Sequence, residues 1–364
     1  MLSSMSAHER LVAALRGAQV DYLPFSPFLA YVWDSFPQAI RKEGQLAFHR
    51  RTGATPLWRG APCPVRAVGP EAMEVVQRQN GRETLTEFHT PVGTLRQVGR
   101  RSEEGNTEFL IEHPLKSAAD FDVQLWIEEH TRYEVDLQPV REHLAGEGRE
   151  GLSIGMLIPR SKSAFQSMVE HYVGTEELAY ALADMPETVE MLWRTMVAGD
   201  MKAAQLAMES GFYTYYLTWE DSSTQNYSPR QYSRYIAAEI EQWCTLLSTN
   251  GMHYIQHACG HLRHLLGPMS ASGAVGVESI SPPPTGNISI REAREIVGRD
   301  FAMIGGIEPT HFLTLPLTKL RAYVEETLDE LRGGPFILAN SDSCPPGVTV
   351  EKFALVAEVA RHAS

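Results

Sequence analysis

The sequence predicts an α/β protein, folded as a single closed (β/α)8 TIM barrel over residues 1–364. Three observations carry that expectation. Apolar runs of strand length alternate with helical patterns through the second half of the chain, as parallel βα units require. Counted along the whole chain, the runs reach eight, the number that closes such a barrel. The composition, 43% hydrophobic and 21% charged, suits a chain that buries a large core without metal or disulfide staples.

Taken in order, Ser6 and Glu9 form a capping-box pattern ahead of Leu11, Val12 and Leu15, with Gly17 as a stop, which predicts an N-terminal helical segment. The first two strands are placed at 23–30 and 55–58. Residues 83–115 alternate around Pro91-Val92-Gly93 and Gly105-Asn106, the pattern of a small antiparallel β insertion. A third strand at 152–158 precedes long helices over 176–208. The fourth, 212–218, leads to a helix that Ser228 caps, with Pro229 in its first turn. The fifth, 253–257, is followed by Leu262, Leu265 and Leu266 at helical spacing. The sixth, 275–280, meets the Pro282-Pro283-Pro284 loop and a helix opened by Ser289 and Glu292. The seventh, 301–304, ends at Gly305-Gly306 before a helix over 317–331. The eighth, 335–339, precedes a final helix that Thr349 caps.

Lys and Arg total 32 against 45 Asp and Glu, a formal charge of −13 that repels phosphate backbones and anionic lipid. Nucleic acid is therefore not an expected partner. No apolar run reaches membrane-spanning length, and His8, Glu9 and Arg10 interrupt any signal-peptide core. Cys63, Cys244, Cys259 and Cys344 lie far apart, unlike a secreted disulfide framework, so the expected location is cytoplasmic.

In a barrel of this kind the chemistry sits where the strands end. His257-Ala258-Cys259-Gly260 closes the fifth strand, and alternation puts His257 and Cys259 on one side of the chain. Cys344 stands just past the eighth strand, on the same expected rim. One imidazole and two thiolates make a zinc set that leaves a position open for substrate. Glu278 is the favoured fourth ligand, with Glu220 or Asp221 as alternatives. Two thiolates offset the charge of the ion, so a bound substrate thiolate or alkoxide stays nucleophilic, which suits alkyl transfer. Cys244, beside Trp243, and Cys63, in a Pro-flanked loop, read as structural, and His261 and His264 as facing solvent or neighbouring helices.

The segments Ala7-His8-Glu9-Arg10-Leu11, Leu15-Arg16-Gly17 and Val20-Asp21 resemble the opening helix of the uroporphyrinogen decarboxylase superfamily. So do His257-Ala258-Cys259-Gly260 and Gly305-Gly306-Ile307-Glu308-Pro309. The resemblance spans most of the chain, is strongest from Trp219 onward, and implies the same barrel. Within it, the corrinoid-dependent methyltransferases, of the methylcobalamin:coenzyme M and demethylase type, carry a His-x-Cys…Cys zinc motif. That motif falls on His257, Cys259 and Cys344. The arginine-rich segment that follows the first strand in the decarboxylases is replaced here by Pro24-Phe25-Ser26-Pro27-Phe28-Leu29. A substrate with many carboxylates needs clustered Arg for paired hydrogen bonds, and this stretch has none.

The expected function is a zinc-dependent methyltransferase. It would move a methyl group, in either direction, between a small-molecule ether or thiol and a corrinoid (methylcobalamin) on a separate corrinoid protein. Asp221 or Glu220 would handle the proton, or orient His257. Tyr31, Trp33, Trp58, Trp219 and Tyr227 cluster at the expected mouth as a wall for an apolar substrate, or as caps on the barrel core. Arg160 with Lys162 is the compact basic pair there, an anchor for one carboxylate or sulfonate if it is not simply solvated. The alternative function is a metal-free decarboxylase using Asp221 and Arg side chains.

Overall fold

A computed structural model describes residues 4–103 and 107–363. Among them, seven strands pair in parallel in chain order: Leu57–Ala61, Leu152–Met156, Tyr215–Thr218, His253–His257, Gly276–Ile280, Ala302–Ile307 and Phe336–Asn340. All but the first two are buried along their whole length or nearly so, as parallel strands covered on both faces must be.

The gap between the first and last of these strands is filled by residues 24–26. Phe25 bridges Leu338 in parallel, and the Thr55 N–H donates to the Phe25 carbonyl. The strand expected at 23–30 thus contracts to a single bridging residue. Pro24 and Pro27 have no N–H to give to a ladder, so pairing cannot extend, and the chain turns into the short helix Ala30–Trp33. The second strand runs past its expected end to Ala61, and the seventh continues through Gly305-Gly306 to Ile307.

Inside the ring, Leu57, Ile154, Leu217, Ile255, Ile304 and Ile337 pack together with Leu11, Ala14 and Leu15 of the helix Ala7–Leu15. That helix seals the end where the strands begin. Its capping box, Ser6 with Glu9, forms as expected, and Arg10 bonds Asp21 at 2.6 Å to hold the segment in place. A second, larger apolar layer joins the sheet to the outer helices.

The antiparallel insertion is wider than expected. Val65–Val68 pairs with Arg132–Val135, and Glu74–Asn80, Glu83–Thr90, Gly93–Arg101 and Glu108–Glu112 form a four-stranded sheet. The turn at Gly93 is there, whereas Gly105-Asn106 lies outside the described residues. The long helical stretch after the third strand is two helices, Thr175–Asp184 and Pro186–Ser210. Pro186 opens the second because it lacks the N–H that would continue the first.

Candidate metal centre at the barrel mouth

His257 is the last residue of its strand, and its inward side chain is 3% exposed. The next strand, paired in register His257 to Glu278, sets the Glu278 carboxylate against the ring, where it takes Nδ1. From the far side of the barrel Arg59 reaches Glu278 at 2.5 Å, and its other terminal nitrogen donates to the Ser26 carbonyl at 2.7 Å. Neither member of this ion pair is exposed at all. Burial alone would raise the Glu278 carboxyl, but Arg59 and His257 more than reverse that and hold it down at about 2. Burial likewise works against a charged His257, and the carboxylates of Glu278 and Asp221 outweigh it, raising the imidazole well above its ordinary range.

The free face of His257 meets two further groups. Nε2 lies 3.4 Å from Asp221 Oδ1, and the Cys259 thiol lies 3.4 Å from the same oxygen. All three donor atoms fall within 4.8 Å of one another, the one such group among the described residues. Gly260, at φ +98°, turns the chain immediately after Cys259, and the following loop is tied down where the His261 N–H donates to Ser223 Oγ. Burial pushes the Cys259 thiol up to about 11, with His257 partly opposing it, so the thiol is protonated near neutrality unless a cation displaces the proton. Asp221 is the reverse: burial is overcome by His257 and Lys162, and its carboxyl falls well below the usual range.

Residues 219–221 alternate in direction, and this separates two neighbouring acids that the sequence had grouped. Asp221 faces the mouth. Glu220 is fully buried on the other side, accepting from the Ser163 N–H, from Ser163 Oγ at 2.8 Å and from Thr218 Oγ1 at 2.9 Å. Burial raises its carboxyl, and its contacts fasten two loops together without reaching the mouth.

The other expected site residues divide in the same way. Trp219 is at the mouth, edge-on to His257 at 5.0 Å between ring centroids and stacked on Phe28 at 5.5 Å. Its indole occupies the space above Gly60, where a Cβ would lie 2.3 Å from Cζ2. Tyr31 is 50% exposed, whereas Trp33 packs edge-on against Phe36 and Phe48 in the outer layer. Trp58 donates to the Glu150 carbonyl, and Tyr227 is buried against Gln166. Arg160 is enclosed by Glu128, Asp200 and Tyr172, so its guanidinium is taken up by its neighbours and does not line the mouth. The structure does not bring Cys344 to the group either. Past Asn340, Asp342 adopts φ +58° with its N–H on Ser279 Oγ, and Cys344 packs into the outer apolar layer with Lys352 as its charged neighbour. Glu278 holds the ring nitrogen of His257 that faces away from the three donors.

Three participants went unread in the sequence. Arg59 is a lone charge in the apolar run Leu57-Trp58-Arg59-Gly60-Ala61, a signal that a partner waits inside the barrel. Phe28 carries no sequence signal beyond being an apolar residue in a stretch without arginine. Asp342, whose charge acts on His257, Glu278 and Asp221, stands on the rim after the last strand, where acids deserve inspection. The run Gly151-Leu152-Ser153-Ile154-Gly155 has nucleophile-elbow spacing, but Ser153 sits within a strand, bonded to His143 at 2.9 Å, beside a cavity of about 580 Å3 where the strands begin. It lacks the strand-to-helix turn that such an elbow needs.

The model of the family described as uroporphyrinogen decarboxylase matches residues 165–363, which include every strand from Tyr215–Thr218 onward and all three donors. The chain belongs to the uroporphyrinogen decarboxylase family. Among solved structures, a methyltransferase from Methanosarcina mazei covers 99% of this chain with 99% of its own, at TM-score 0.65 and 15% identity. That likeness is one of fold, and it covers the part of the chain ahead of residue 165 as well as the part the family model matches. A B12-independent methionine synthase from Shewanella sp. is a looser match, with 94% of this chain and 97% of that one covered at TM-score 0.46 and 8% identity. No curated protein sequence matches the chain. Among the described residues, no helix is long and apolar enough to cross a membrane.

Proposed function

We propose that this member of the uroporphyrinogen decarboxylase family is a zinc-dependent methyltransferase that exchanges a methyl group between a small ether or thiol and a corrinoid on a separate protein. One observation carries the metal-dependent part of the reading, the spacing of His257, Cys259 and Asp221, and the methyl-transfer part is supported by the shared fold with a methyltransferase. Ligands at about 2.0–2.3 Å from a tetrahedral zinc ion lie roughly 3.3–3.6 Å from each other. The measured separations to Asp221 Oδ1, 3.4 Å from both partners, fit that geometry. The donors are one nitrogen, one sulfur and one oxygen, and three protein ligands leave a position for the substrate heteroatom.

The protein's own residues prepare that position. Glu278 accepts from Nδ1, which fixes the tautomer and leaves Nε2 as the nitrogen that would hold an ion, as carboxylates behind metal-bound histidines do. Asp221, ionised at neutral pH, is a ligand or a proton acceptor and not a proton donor. Trp219 and Phe28 form an apolar wall beside His257 that limits water at the reacting atoms. A zinc ion held there would supply Lewis acidity toward the substrate oxygen or sulfur.

Cys344→Ser and Cys244→Ser are each expected to keep full zinc uptake, because both thiols lie in the outer apolar layer. Zinc lost from Cys344→Ser in a folded protein would restore the second thiolate as a ligand. Zinc affinity is also expected to rise with pH, since His257 and Cys259 must each release a proton to bind the ion. A titration against a competing chelator should show a gain of up to about 100-fold per unit from about pH 6 to 8. A flat profile would exclude this ligand set. The metal-free decarboxylase alternative predicts carbon dioxide release from a carboxylated substrate by zinc-stripped protein, with no methyl transfer to cob(I)alamin.

A further inference from the structure

Lys162 lies ahead of the helix Ala164–Ser167, and its ammonium group reaches the mouth through a turn that is unusual in itself. Ser161, just before it, adopts φ +64°, a conformation that side chains other than glycine seldom take and that persists where surroundings enforce it. Those surroundings are the loop after the strand Tyr215–Thr218: the Trp219 N–H donates to the Ser161 carbonyl at 2.7 Å, and Ser163 is clamped by Glu220. So directed, Lys162 Nζ finds three acceptors, Asp221 Oδ2 at 2.5 Å, the Trp219 carbonyl at 2.7 Å and Glu170 at 2.9 Å. An ammonium has three protons, and each has a place. Glu170 itself sits in Met168–Tyr172, a π-helical turn, a feature that often marks functional positions.

The two oxygens of Asp221 are thereby given different tasks. Oδ2 is held by Lys162, and Oδ1 is the atom that faces His257 and Cys259. Oδ1 has only the two 3.4 Å contacts with His257 and Cys259, longer than the 2.5 Å bond from Lys162 to Oδ2, and Asp221 is 41% exposed, so the ammonium is the strongest restraint among the described residues on a carboxylate that otherwise has water to rotate into. We infer that Lys162 is a positioning residue that fixes Asp221 as a one-oxygen ligand of the metal centre. The inference rests on the proposed zinc site and adds to it the residue that orders its exposed ligand.

The test uses zinc alone, titrated against a competing chelator in the 364-residue chain. Lys162→Met is expected to weaken zinc binding by about 10–100-fold, the usual cost of removing a group that orients a ligand. Asp221→Asn should weaken it at least as much, and the double variant should lose no more than Asp221→Asn alone, because both changes remove one oxygen. Lys162→Arg, which keeps a cation and donors, should recover part of the loss, and Lys162→Gln serves as the truncation if the Met variant does not fold. Cobalt substitution gives an independent reading, since release of Asp221 changes the ligand field in the Lys162 variant and not in a distant control such as Arg321→Ala. Wild-type zinc affinity in Lys162→Met or Lys162→Gln, or losses that add in the double variant, would overturn the inference while leaving the centre in place. Absence of zinc uptake by the unaltered protein would instead remove the centre, and the inference with it.

Discussion

Cys259→Ser is expected to lose zinc, and with it the proposed methyl transfer. A serine hydroxyl stays protonated where a thiol yields a thiolate, so the substitution removes one of three donors and leaves His257 and Asp221 to hold the ion alone. Structural zinc sites bind with a total of order 10–16 kcal/mol, and one ligand's share of this is about two to three orders of magnitude in affinity. His257→Ala should act at least as strongly, because it also leaves the Glu278 carboxylate without the ring it faces. Metal content by elemental analysis and methyl transfer to free cob(I)alamin are the two measurements. Circular dichroism should be nearly unchanged, since the centre sits on loop ends above a barrel core that packs without it. Full zinc retention in both variants would remove the site from consideration.

The second large effect is expected at Glu278. Glu278→Gln keeps the shape of the side chain and removes its charge, so Arg59 is left as a buried cation with no anion beside it. Breaking a buried pair in this way costs about 3–5 kcal/mol. The same change loosens the orientation of His257, which should weaken zinc binding by about 10–100-fold. Urea denaturation with and without zinc separates the two losses: the first persists in stripped protein, the second does not. Replacing Arg59 and Glu278 together, with Met and Leu, should restore much of the stability and none of the metal affinity. A Glu278→Gln variant as stable as the unaltered protein would show that the pair contributes little.

The pair also imposes a pH window on the stripped protein. Glu278 is depressed to about 2, so its contribution is complete above the ordinary carboxyl value of 4.5 and fades as pH falls toward 2. His257 is raised, so its contribution is complete below the ordinary value of 6.5 and is lost as pH climbs through its elevated value. Between about 4.5 and 6.5 both act in full.

Much of this was legible from the chain alone, because it depends on neighbours in sequence. The capping boxes at Ser6 and Ser289 and the helix cap at Ser228 are patterns within four residues, and each forms, the last as a full box with Gln231. Strands buried on both faces must be continuous apolar runs, so the later barrel strands declared themselves, and strand periodicity set His257 facing inward. What failed locally did so for local reasons of backbone chemistry: prolines at 24 and 27 cut the first strand to Phe25. The partners of His257 are another matter. Asp221 and Glu220 are adjacent acids with no difference in sequence signal, and only the stitching of Ser161 to Ser163 against the next loop sends one inward and locks the other away. Arg59 and Glu278 are 219 positions apart and meet because a closed ring brings opposite strands within side-chain reach. Cys344 shows the converse, since a position just past the last strand satisfied every rule of spacing, yet the left-handed turn at Asp342 leaves its thiol in the apolar layer. Sequence determines which elements form and which way a strand residue points; which charges share a buried volume is decided by closure of the barrel, where desolvation makes every unpaired ion costly and so selects its partner.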